Sequence, residues 1–416
     1  MNRLCRILCN CQIKDRGGKM MLNNTHSELS RRHFLQGIGA GAMGITISDP
    51  LAAAARLLSS QDMPTPNPDR RMGGNENPIG PSPKAIEAVA AQLSGLNWYP
   101  YQPDLEMAIH RFHGIDVQTS EGIGWAGLNT TFIQDTRVVT GVGSTEVLRA
   151  AAWAYLMEGG HIIQGRPSYN EISDSARKLG NRVSVSSVEL KPDLAYDLEA
   201  MHHAIRPDTR IISLCNPNNP TGLLLGHEEL GAFIDAVDPR ILIVIDEAYI
   251  HFVEDTSYKD ATLFARTRPN VLITRTFSKG YGMAGLRVGY GIAHPEVIKK
   301  LRGYTLGPLG MHSNGIAGAV AALDDHDHLE RSRRAVVDGR AYLERALLKM
   351  QMEPVYGQGN FVLVDTGRDS VEIFNQLLKR NILITPGTRW NMPAYIRISI
   401  GLPDDNEAIV AALQEG

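Results

Sequence analysis

Short apolar runs without polar alternation recur along the chain, separated by stretches whose apolar residues return every three or four positions. The runs Val138–Thr140, His161–Gln164, Ile211–Cys215, Ile241–Ile245 and Val271–Thr274 are brief and rich in β-branched residues. Strands of that kind are covered on both faces, which predicts a parallel sheet with helices packed on either side. Further on, His328–Met350 reads as one long helix, and "NFVLVDT", "VEIFNQLLKRNILIT" and "YIRISIG" as shorter alternating elements. The pattern therefore predicts a large α/β domain followed by a smaller α+β domain at the C-terminus. Pro64–Pro83, rich in Pro, Gly and Asn, predicts an extended arm ahead of both.

The beginning of the chain breaks this pattern. Ser30–Ile47 sets paired arginines before a short, Gly- and Ala-rich apolar run, and small residues at Ala52–Ala55 follow. This resembles a twin-arginine export signal, with the motif matched from Ser30 to Leu35, and implies passage through that export machinery to the periplasm. The alternative is an amphipathic helix in a cytoplasmic protein. The run falls short of the roughly 20 apolar residues that span a bilayer, so no stable membrane span is expected. Met20 and Met21 are alternative starts.

Composition then narrows the function classes. The 416 residues carry a formal net charge of −3, which offers no basic field for nucleic acid. Without residues 1–55 the remainder holds 35 basic against 42 acidic side chains, a net of −7. The same segment contains Cys5, Cys9 and Cys11, leaving Cys215 alone in the rest and no disulfide framework. The three leader cysteines lack a second cluster or a histidine at ligand spacing, so no metal site is expected.

The unusual residues fall where strands end, the place where open α/β sheets bind ligands. "TGVGSTEVLRAA" is a strand, a glycine turn and a helix start, read either as an anion cradle or as a plain N-cap by Ser144 or Thr145. "LCNPNNPTG" places Asn219 in a Pro/Asn turn, where its amide can donate to an oxygen anion. "ILIVIDEAYIHF" drives Asp246 into the end of the most apolar strand, with no lysine or arginine nearby in sequence to pair with it. Its partner is therefore distant, or a ligand, unless the carboxylate caps the next turn. "TFSKGYGMAGLRVGY" supplies Ser278, Lys279 and Arg287. Apolar surroundings disfavour an ammonium and make Lys279 a usable nucleophile. Serine and arginine suit a phosphate. Pyridoxal 5′-phosphate answers all of these at once, through its aldehyde, its phosphate and its pyridinium nitrogen.

Taken together, "NENPIGPSP", "GVGSTE", "NPNNPTG", "IDEAY", "FSKGYGMAGLRVGY" and "YIRISIG" resemble the fold-type I pyridoxal-phosphate aminotransferases of the histidinol-phosphate aminotransferase-like group. The resemblance runs from about Gly73 to Gly401. It implies the aspartate aminotransferase-like fold, with a mostly parallel seven-stranded-type sheet. The implied divisions are a leader over 1–55, an arm over 56–98, a cofactor-binding domain over 99–308 and a small domain over 309–416. It also implies a ping-pong exchange of an amino group between an amino acid, or histidinol phosphate, and a 2-oxo acid. In that scheme Lys279 holds the cofactor as an internal aldimine and shuttles the proton, Asp246 pairs with the ring nitrogen, and Asn219 and Tyr249 bond the phenolic oxygen. Tyr169 stacks on the ring, while Gly143, Ser144, Thr145, Ser278 and Arg287 hold the phosphate. Tyr99 reaches the phosphate of a neighbouring subunit, implying a homodimer. Arg397 takes the substrate carboxylate, with Asn75 and Arg389 also on the substrate side. A decarboxylase or other lyase on the same scaffold is the alternative, and a non-catalytic cofactor-binding protein a third reading.

Two features depart from the family. Thr119–Asp135 is an apparent insertion with glycine hinges and Trp125, open to reading as a lid, a dimer contact or an inert loop. "ILITPGTRW" puts Thr385 and Pro386 where the family's histidinol-phosphate enzymes carry an arginine, with Arg389 displaced toward Arg397. The departure leaves the substrate open between histidinol phosphate and an aromatic or other amino acid.

Overall fold

The computed structural model describes residues 70–415, apart from 101–102, 125–126 and 181. The export-type leader, the first part of the arm and Trp125 lie outside the described residues.

Seven strands form the principal sheet, in the order Val138–Val142, Val288–Ala293, Val271–Thr276, Leu242–Asp246, Thr209–Cys215, Gly160–Arg166 and Val183–Glu189. All neighbours are parallel except Val288–Ala293, which runs antiparallel to both strands beside it. Each predicted apolar run is a strand here; four are extended by one or more residues, and Ile241–Ile245 is shifted by one to Leu242–Asp246. The absence of polar alternation has a direct cause. Ile243, Ile245 and Ile273 enter one core cluster, while Leu242, Val244 and Leu272 enter another on the opposite face. Successive side chains alternate across a pleated strand, so a strand covered on both faces must be apolar throughout.

The C-terminal part builds a second layer. Glu353–Val355, Phe361–Asp365, Tyr395–Ser399 and Thr385–Pro386 form an antiparallel sheet in that order. The long helix His326–Lys349 and the helix Pro403–Gln414 cover it, and a separate core cluster forms around Phe361, Ile396 and Val336. At its N-terminal end, Arg70–Arg71 pairs in parallel with Ile382–Leu383, tying the arm to this layer.

The arm then crosses to the principal sheet. The side-chain amide of Asn77 donates to the carbonyls of Lys279 and Gly280 at 2.9 and 3.0 Å. Thr119–Asp135, expected as a glycine-hinged loop, contains instead a β-hairpin. Gln118–Ile123 and Asn129–Gln134 pair antiparallel over six residue pairs. Thr130, Thr131, Phe132 and Ile133 suit a pleated strand, a local signal the glycines obscured. Among the described residues, no helix is long and apolar enough to cross a membrane.

Candidate active site

A cavity of about 660 Å³ lies beyond the carboxyl ends of the principal strands and is closed on its far side by the arm and the C-terminal layer. It gathers Asn75, Ser144, Thr145, Tyr169, Asn219, Asp246, Tyr249, Ser278, Lys279, Arg287, Arg389 and Arg397 from segments far apart in the chain. Gly143 is within reach of the Arg287 guanidinium. Tyr99 is the one expected site residue placed elsewhere: it is 59% exposed and lines a second cavity with Trp98.

Lys279 follows the strand Val271–Thr276, and its Nζ donates to the carbonyls of Gly74 and Asn75 at 3.0 and 2.9 Å. Burial, then the positive charge of Arg397, pulls its pKa down from 10.5 to about 8. The free amine is therefore far more accessible near neutral pH than for an ordinary lysine, about a tenth of the population at pH 7. Asp246 ends the strand Leu242–Asp246 and is 5% exposed. Burial pushes its carboxyl up to about 6, opposed by the Thr274 hydroxyl, which donates to Oδ1 at 2.8 Å. Among the described residues no backbone N–H donates to its carboxylate, so Asp246 does not cap the next turn. No lysine or arginine among the described residues forms an ion pair with Asp246; Lys279 acts on it only through space, across the cavity. The nearby strand arginine, Arg275, is bonded to Glu247 and Asp260 instead. A buried carboxylate that faces a cavity without a bonded cation is what a cationic ligand would satisfy.

The helix Ser144–Leu156 opens toward the cavity. Neither Ser144 nor Thr145 caps it, contrary to the N-cap expectation. Gly143 occupies that position with φ +74° and ψ 165°, a conformation nearly restricted to glycine. A Cβ there would lie 2.5 Å from Nη2 of Arg287, so the glycine lets the guanidinium close over the helix start. Arg287 is itself left-handed, at φ +54°, and its Nη1 donates to Ser278 Oγ at 3.3 Å. The Glu146 carboxylate accepts from the Val142 amide at 2.5 Å and the Leu306 amide at 2.7 Å, pinning the turn from behind. Unpaired N–H groups at a helix start, a hydroxyl and a guanidinium make a phosphate cradle.

The phenol of Tyr249 accepts from the amides of Asn75 at 3.0 Å and Asn219 at 3.3 Å, which leaves its own proton to donate. Asn219 Oδ1 in turn accepts from Nη1 of Arg397 at 2.5 Å, and Gly73 O accepts from Nη2 at 2.7 Å. Arg397 Nε is buried with no partner, and the guanidinium lies 5.1–5.2 Å from the Trp390 and Phe361 rings. Burial, with repulsion from Arg389, lowers the Arg397 pKa to about 10, so an anion here would be strongly favoured. The Tyr169 hydroxyl, bonded to Thr145, is pushed up to about 12 by burial and then by Asp246. Arg389 stands on the rim with no protein acceptor among the described residues.

Sequence reasoning missed Thr274 and Cys215, which flank Asp246 in register on the two neighbouring strands. Burial, then Asp246, holds the Cys215 thiol well above its ordinary pKa, hence neutral. A parallel in-register pairing of the three runs would have found both residues. It also missed the orientation of Tyr249 by Asn75, for which no local signal exists.

Comparison with known proteins agrees with this geometry. The family model described as aminotransferase class I and II matches residues 71–413. Histidinol-phosphate aminotransferase of Moorella thermoacetica is 35% identical over 347 residues, covering 83% of this chain and 84% of the relative. Histidinol-phosphate aminotransferase 2 of Ralstonia nicotianae is 36% identical over 350 residues, covering 83% and 87%. In fold, the crystal structure of histidinol-phosphate aminotransferase from Sinorhizobium meliloti in complex with pyridoxal-5′-phosphate superposes with a TM-score of 0.73. It is 24% identical, with 90% of this chain and 98% of that chain covered.

Proposed function

The chain belongs to the class I and II aminotransferases, and from that premise we propose that it exchanges an amino group between histidinol phosphate and a 2-oxo acid. It is a pyridoxal-phosphate-dependent transaminase of fold type I. One observation carries the assignment of the chemistry to this cavity. A half-buried lysine with lowered pKa, a buried carboxylate without a counter-ion and a buried arginine with a free Nε face the same 660 Å³ space.

The residues present fit the cofactor, because Gly143 leaves room for a cradle that a Cβ would fill and Asp246 lacks a protein cation. Pyridoxal 5′-phosphate, when bound, supplies a ring that withdraws electrons from the substrate α-carbon. In this reading the Ser144 and Thr145 amides, Ser278 and Arg287 bind its phosphate. The Asp246 carboxylate would hold the ring nitrogen protonated. Tyr249 and Asn219 would hold the phenolic oxygen, and Tyr169 would pack against the ring. Lys279 Nζ would be the group that holds the cofactor covalently and, when free, the base placed to take the proton from the substrate α-carbon. Arg397 binds the carboxylate of the amino- or 2-oxo-acid partner, oriented by its bonds to Asn219 and Gly73. Asn75 orients Tyr249 from the substrate side.

Arg389 supports a phosphorylated substrate, because it is a rim guanidinium with no protein acceptor among the described residues. The names of the relatives point the same way. A donor screen on protein lacking residues 1–55 tests this. Histidinol phosphate with 2-oxoglutarate should turn over faster than aromatic donors. Carbon dioxide release without need of a 2-oxo acid would overturn it.

We also assign Tyr99 to the phosphate site of a second copy, which makes the working unit a homodimer. Its exposure and its distance from its own cavity support this, and a Y99F enzyme mixed with wild type tests it. Export through the twin-arginine route to the periplasm is the companion proposal, supported by the Ser30–Leu35 motif. Fractionation showing only uncleaved cytoplasmic protein would refute it.

A further inference from the structure

We propose that Thr274 is a positioning residue that keeps the Asp246 carboxylate ionised and turned toward the cofactor's ring nitrogen. The role rests on the reading of Asp246 given above.

Thr274 sits beside Asp246 in the parallel register of two central strands, where paired residues point to the same face. It is fully buried, and it does not line the cavity, whereas Asp246 does. Its hydroxyl donates to Asp246 Oδ1 at 2.8 Å, the one hydrogen bond its side chain makes. The neighbouring positions Leu272 and Ile273 are aliphatic and fully buried, so valine would satisfy the strand equally well there. A buried hydroxyl has no packing purpose at such a place, but it has an electrostatic one. It stabilises the charged form of a carboxylate that burial otherwise neutralises. The β-branched side chain restricts χ1, so the donor is fixed in direction. Occupying Oδ1 from behind leaves Oδ2 for the ring nitrogen.

The other groups acting on Asp246 set the background. Glu247, the next residue along, disfavours its charge, and Lys279 across the cavity favours it. The Cys215 thiol on the other flanking strand and the phenols of Tyr169, Tyr196 and Tyr249 are all pushed up and stay neutral near pH 7. None of these substitutes for the lost donor, because none hydrogen-bonds the carboxylate.

The test uses the holoenzyme and follows cofactor release on dilution, by absorbance, between pH 5 and 9. Thr274→Val should raise the dissociation constant about tenfold or more, the effect of one hydrogen bond to a charged group, and move the acid limb of release to higher pH. Thr274→Ser should restore both. Thr274→Ala carries the same expectation as the valine variant and serves if valine is not accommodated. The thermal midpoint of T274V, measured without cofactor, should fall below wild type at pH 8, where Asp246 is ionised, and approach it at pH 5, a pH dependence that a packing role would not give. Asp246→Asn separates the two levels of the claim. Weak binding by D246N with wild-type binding and acid limb in T274V would overturn the Thr274 role alone. Wild-type binding by D246N would overturn the reading of Asp246 itself.

Discussion

Replacing Arg275 with methionine isolates a buried charge pair under the site. Arg275 donates from Nε and Nη2 to Glu247 Oε2 at 2.9 and 2.7 Å, and from Nη2 to Asp260 at 2.7 Å. Tyr258 completes the Glu247 carboxylate at 2.9 Å, and Glu247 is fully buried. At 2.7 Å and an effective dielectric near 20, the direct attraction is about 6 kcal/mol before desolvation. Part of that is offset by the cost of burying the guanidinium itself. The expected net loss for R275M at pH 7 is therefore about 3–5 kcal/mol, the range for stranding one charge of a buried pair. The sign with pH follows from Glu247, whose carboxyl burial already pushes up against the opposing pull of Arg275. Without Arg275 it rises further above its unfolded value. The penalty is then absent below about pH 4, where both states are protonated, and grows as pH rises through the folded pKa. Urea unfolding at pH 4.5 and 8 measures this, with E247Q/R275M as the double variant that removes the stranded charge. The reasoning fails if R275M lies within about 1 kcal/mol of wild type at pH 8, well below the buried-pair range. It fails equally if the deficit is independent of pH, or if the double variant recovers nothing.

Three further outcomes are expected. Gly143→Ala should lose about 1–3 kcal/mol of stability from its backbone conformation and weaken cofactor binding by displacing Arg287, read by thermal unfolding and by equilibrium dialysis. Because the Lys279 amine has a pKa of about 8, capture of added cofactor by stripped protein should accelerate up to about pH 8 and then level off, as stopped-flow absorbance would record. Arg389→Gln should raise KM for histidinol phosphate about tenfold, as for loss of one charged hydrogen bond, while leaving KM for 2-oxoglutarate nearly unchanged in steady-state assays.

The strands were legible because each central one is buried on both faces, and Leu242 to Ile245 can only be read that way. Asp246 stood out for a related reason, since a charge at the end of an apolar strand is too costly to be incidental, while Lys279 stood out for its apolar surroundings and Arg397 by its place in a family motif. The hairpin over Gln118–Gln134 was less legible, since its glycines suggested hinges while its pairing depends on cross-strand contacts.

By itself the sequence determined the alternation of apolar runs, the chemical identity of the reactive groups and their order along the chain, since these follow from local composition. It left open which neighbours those groups would have. That Arg275 pairs with Glu247 rather than Asp246, and that among the described residues only Thr274 donates to the Asp246 carboxylate, follows from strand register. That Gly143 must lack a side chain follows from how closely Arg287 approaches. Register and close approach are relations between segments tens to hundreds of residues apart, and only the folded chain brings those segments within hydrogen-bonding distance.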